Sequence, residues 1–390
     1  MADDKRRKDL ELPVKIIFNE EGVNFFIQSK KKLNKFKLAD DMEQYGIFFD
    51  VFSPASVQKL MLINYVSYIE LSRPEFMSKR QEVMDLSKLI TYATFYRRFD
   101  ETVFGKIMDS DLIKKWNRGN PAGIIDRKTS VKPEILSNNL IKNKVLIQSI
   151  KQEMLRPIME TVMSSESLLP EEKNIQLFLA EKFLNNLRPL TWFVLSQFKD
   201  SDEYLELLNQ IEIALHEYME KSKLAEYLSL MIMELAINAE NTNIQSFAKS
   251  RYKGTLDPNA VMFDPEMRKM IVEEMSHRNQ NVFLTWKVGN DSTKGLASRE
   301  KLSVRVFNKE AGYLELKKSV DDTKGANTKL KSLMDFYKDG NDEAGANAEL
   351  GLYYLSYLSE ECSKLGVHFE SLVNQVRDTG LTVITLNLLI

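Results

Sequence analysis

The stretch KLAEYLSLMIMELAINAENTNIQSFAK, Lys223 to Lys249, constrains this chain most. It begins as a strongly apolar helix and changes character at Glu234. From there Glu234, Asn238 and Asn241 recur at spacings of four and three, which stacks them on one helix face a turn apart. Ile232, Leu235, Ala236 and Ala239 keep the other face for packing. A carboxylate and two amides on such a stripe need partners, because a buried unpaired polar group costs about 1–3 kcal/mol. Either the protein supplies them, or a ligand such as a hydrated metal and its phosphates does.

Around this helix the chain divides by pattern. Val14–Phe26 reads as two strands joined by a turn at Glu21-Gly22. Lys30, Lys31, Lys32, Lys35 and Lys37 form a basic cluster, read as a solvated edge or loop. Residues 56–115 show helical spacing, and Trp116–Pro133 is loop-like, with two glycines and two prolines. From Pro133 helices dominate. The segments 174–198 and 203–221 are amphipathic and joined by the short turn KDSD, which suggests an antiparallel hairpin. An apolar stripe on it either closes a dimer or packs on a neighbouring domain. After residue 250 the order is a short helix, strands at 282–289 and 301–308, a helix, a small-residue loop, a helix ending at Gly366, and two last strands. Strands and helices on one mixed sheet give a two-layer α/β sandwich. The expected fold class is α+β. It comprises an N-terminal mixed domain (1–135), a helical connector and dimerisation hairpin (136–220) and a C-terminal sandwich (221–390).

Those last 170 residues carry further motifs in order. ELAINAEN is followed by VRVFNKEAGY, then GANAELGLYYLSYL, then DTGLTVITLNL. Together they resemble the Bergerat-fold ATP-binding domain of sensor histidine kinases and gyrase-type enzymes. The resemblance implies ATP and magnesium as cofactors. Asn238 would hold the metal, Glu234 would activate water or order the metal site, and Asn241 would approach a phosphate. In the first glycine box Asn308 stands at the adenine-binding Asp position, Glu310 at the first Gly and Gly312 at the second. An Asn accepts the adenine hydrogen bond without charge assistance. Gly345, Gly351 and Leu352 fit the phosphate-cradling box, where Ala348 and Glu349 replace glycines. Thr382 lies one place beyond the threonine of the closing strand, with Leu381 in its position. A glutamate beside a triphosphate opposes binding by roughly 3–4 kcal/mol at an effective dielectric near 20.

Two functions follow as expectations. One is a cytoplasmic signalling protein that binds Mg·ATP, with its phospho-acceptor in a protein partner. The other is an inactive pseudo-ATPase that serves as a protein-interaction regulator. A net charge of −2 gives no electrostatic case for nucleic acid or a membrane as the main partner. The single cysteine, Cys362, excludes an internal disulfide and fits a reducing compartment. The charged start MADDKRRKDLELP has no apolar run behind it, and no segment approaches a membrane span.

Overall fold

A computed structural model describes residues 9–40, 42–126, 131–253, 260–291, 299–308, 346–376 and 381–390. Contacts divide the chain into two units, residues 1–94 with 223–390, and residues 95–222. The N-terminal strands thus belong with residues 223–390, and residues 95–135 with the helices that follow them.

The first unit is built on one eight-stranded sheet. Its strands are β1 (Val14–Phe18), β2 (Asn34–Lys37), β3 (Glu43–Phe49), β4 (Val66–Arg73), β5 (Val282–Asp291), β6 (Arg299–Asn308), β7 (His368–Gln375) and β8 (Thr382–Leu389). They run in the order β2-β3-β1-β4-β5-β6-β8-β7. Every ladder is antiparallel, not mixed as expected. The register aligns Ile16, Ile69, Trp286, Val304 and Leu386 across five strands, all fully buried. One residue along, on the opposite face, the row is polar: Lys15, Glu70, Thr285, Arg305, Thr385. Glu70 is buried there, and accepts from Lys15 Nζ at 2.6 Å and from the Ala39 amide at 2.9 Å.

Two local expectations are corrected. The second N-terminal strand is instead a helix, α1 (Glu20–Gln28). Asn19 caps it, its Oδ1 accepting from the Gly22 amide at 2.9 Å, and two glutamates stand at its positive end. Gly22 serves a close approach instead of a turn: a Cβ there would meet Tyr65 O at 2.8 Å. In the helical reading of residues 56–71, only α2 (Pro54–Leu62) is a helix. Asn64, at φ 61°, turns the chain left-handed into β4. Long helices follow as expected: α3 (Arg80–Met108), reached through a 3-10 turn at Met77–Lys79, and α10 (Leu224–Tyr252). α10 packs on β5 and β6, and a later helix, Ala346–Lys364, packs on α10 and β7. No described helix is long and apolar enough to cross a membrane.

The second unit is helical. It holds the end of α3, then α4 (Asp111–Gly119), α5 (Pro133–Lys142), α6 (Lys144–Ser164), α7 (Pro170–Asn186), α8 (Pro189–Gln197) and α9 (Tyr204–Ser222). The expected helix over 174–198 is broken at Arg188, because Pro189 cannot continue a helix and pushes the residue before it out of helical geometry. Arg188 fixes the break. Its Nε donates to Asp100 Oδ2 at 2.6 Å, Nη2 pairs with Glu101, and the guanidinium lies 4.4 Å from the Phe104 ring centroid. Tyr96, Phe99, Phe183 and Tyr218 form the aromatic core beneath it.

Candidate functional site: the polar stripe of α10

The polar groups on α10 find their partners inside the first unit. Glu234, half-buried, accepts from Arg80 Nη2 at 3.0 Å, across to the start of α3. α11 (Ala260–Phe263) and α12 (Pro265–His277) follow α10. The Asp264 side chain starts α12 by accepting from the amides of Glu266 and Met267. That cap places Arg268 on the first turns, where its guanidinium forks. Nη1 donates to Asn241 Oδ1 at 3.0 Å and Nη2 to Glu240 Oε1 at 2.6 Å. Asn238 and Asn243 also have interaction partners.

Glu240 is the centre of the cluster and was missed by the sequence reading. It is fully buried. Its second oxygen accepts from the backbone amides of Phe76 and, at 3.2 Å, Met77, on the connection between β4 and α3. One carboxylate therefore ties three segments together. Burial pushes its carboxyl up to about 7, against the pull of the Phe76 amide and Arg268, with Glu75 adding to the rise. A signal existed. Glu240 lies on the apolar stripe with Ala236, Asn243 and Ile244 rather than on the Glu234–Asn241 face. A charge on an apolar stripe demands a buried counter-charge.

The other expected site residues separate into groups. Asn308 and Thr382 face each other at one end of the β6–β8 ladder, both buried. Gly312 and Gly345 lie outside the described residues. Gly351 and Leu352, expected at a helix entry, fall inside α13 (Ala346–Lys364). Cys362, on the same helix, is buried, and burial pushes its thiol up to about 12, which keeps it protonated and inert.

The α10 stripe does not fit a magnesium ion as it stands. Glu234 and Asn241, the oxygens that would serve metal and phosphate, each face a guanidinium, and a guanidinium at each oxygen repels a second cation. Among the described residues no three His, Cys, Asp or Glu side chains converge as a metal site. In the second unit an open groove of about 600 Å³ is lined by Arg98 and Lys106 together with Glu101, Asp109, Asp111 and Glu206. Both signs are interleaved there, so it selects no ligand by charge.

No solved structure matches the chain. It is 38% identical over 387 residues to a protein of Treponema pallidum (strain Nichols) described as uncharacterized, an alignment that covers 99% of each chain. The model of the family of unknown function DUF8084 matches residues 5–390. The chain therefore belongs to the DUF8084 family.

Proposed function

We propose that the chain is a protein-interaction regulator whose first unit derives from a histidine-kinase-like ATPase sandwich and no longer holds Mg·ATP. Two helices, α10 and α13, against the strand run β5-β6-β8-β7 support the ancestry. One observation carries the loss of nucleotide: the carboxylate of Glu234 and the amide oxygen of Asn241 are occupied by Arg80 and Arg268. In this reading the partner is a protein of a cytoplasmic signalling pathway, and the helices of 136–220 carry a homodimer interface. Thermal unfolding with and without Mg·ATP tests it. An unchanged midpoint at millimolar nucleotide is expected.

The second reading retains Mg·ATP binding and kinase or ATPase activity, with Glu234 and Asn238 at the metal. The adjacency of two expected base-pocket residues, Asn308 and Thr382, favours it. A midpoint raised by Mg·ATP in the parent and unmoved in Asn238→Ala would establish it over the first.

A further inference from the structure

The end of α1 differs from every polar cluster above. Lys30 closes the helix in the left-handed region, at φ 54°. Its amide donates to Ile27 O and the Lys31 amide to Phe26 O, both at 2.9 Å. This closure favours glycine, and a lysine there carries backbone strain. Lys30, Lys31 and Lys32 thus leave a pinned backbone, and all three are exposed. Among the described residues none of their side chains has an ion-pair partner, whereas Lys35 pairs with Glu43 at 2.5 Å. The acids of α1, Glu20 and Glu21, stand at its opposite end.

Beside these lysines stand large apolar side chains in water. Phe25 is 47% exposed, Ile27 60% and Ile63 44%. Phe25 rests on Tyr65, ring centroids 5.1 Å apart, which joins the end of α1 to the turn after α2. Guarding a sheet edge or answering a helix dipole accounts for the lysines. Neither accounts for three large apolar side chains next to them. We propose that this end of the first unit docks on bilayer surfaces bearing anionic headgroups. Phe25, Ile27 and Ile63 enter the acyl boundary, while Lys30, Lys31 and Lys32 meet headgroup phosphates and carboxylates. Exposure near one half for all three apolar residues marks a convex tip. A convex tip suits a fluid layer, whereas a peptide side chain needs a concave wall. The net charge of −2 makes the attraction local to this tip. The inference stands whether or not the ATPase ancestry does.

The test is co-sedimentation of the full chain with vesicles of phosphatidylcholine alone or mixed with phosphatidylserine. Binding to the mixed vesicles alone is expected, fading as salt rises. The combined Lys30→Gly, Lys31→Gln, Lys32→Gln variant should bind on the order of 100-fold more weakly with an unchanged melting midpoint. Ile27→Ser should bind several-fold more weakly. If the combined variant melts early, Lys31→Gln and Lys32→Gln alone give the same decision. No binding by the parent to the mixed vesicles overturns the proposal. So does full binding by the lysine variants, or equal binding to single-stranded nucleic acid or polyglutamate.

Discussion

The stripe on α10 and the lysine run after α1 are both polar clusters readable in the sequence, and the structure treats them oppositely. On α10, Glu234, Glu240 and Asn241 each meet a guanidinium from another segment of the same unit. After α1, Lys30, Lys31 and Lys32 face water beside exposed Phe25 and Ile27. Helical spacing says which residues share a face, and it is silent on what lies opposite. A polar group whose partner is internal holds the fold, and one that is pinned yet bare is available to something outside.

The sharpest way to break this contrast is to remove the internal partner. Arg268→Ala leaves the Glu240 charge buried and Asn241 unanswered, and should destabilise the first unit by about 3–5 kcal/mol in denaturant unfolding. A loss below about 1 kcal/mol would mean the stripe is not held from within. A slightly smaller effect is expected from pH. The folded carboxyl of Glu240 sits at about 7 against an ordinary 4.5. The folded state therefore holds its proton more tightly, and this group's contribution is fully present below pH 4.5 and lost as pH rises through about 7. The loss amounts to about 3 kcal/mol. Stability of Glu240→Gln measured from pH 4.5 to 7.5 should lack that decline. A parallel decline in parent and variant would assign it to other groups.

Weaker still is the Arg80 pair, because Arg80 is 42% exposed. Glu234→Gln should cost no more than about 1 kcal/mol by the same denaturant assay. The smallest effect belongs to the other side of the comparison. Lys30→Gly relieves left-handed strain and should leave stability unchanged or raise it by up to about 1 kcal/mol. A clear loss of stability would make Lys30 a part of the fold rather than of a surface.

Much of the fold was legible where periodicity is strong. The strands at β5, β6, β7 and β8, the helices α3 and α10, and the helix stop at Gly366, at φ 64°, lie where pattern places them. Lys35 and Lys37 do lie on an edge strand, β2. The failures have local causes. Gly22 reads as a turn residue, yet its lack of a side chain serves a close contact with Tyr65, which lies 43 positions away and is invisible to any window. Residues 66–73 continue the apolar run of α2, and only the left-handed Asn64 separates helix from strand. The joining of β4 to β5 across more than 200 residues has no signal in one sequence. In the site, Glu234, Asn238 and Asn241 were found because they share a face. Glu240 was missed because it sits among apolar neighbours, where its partners Phe76, Met77 and Arg268 come from other segments.

The central claim is that α10 is answered from inside the protein, and a double-mutant cycle between Glu240→Gln and Arg268→Met measures that directly. The account predicts a coupling of about 2 kcal/mol or more between the two positions in denaturant unfolding at pH 8. Additive effects, with coupling near zero, would contradict it and return the stripe to an external ligand.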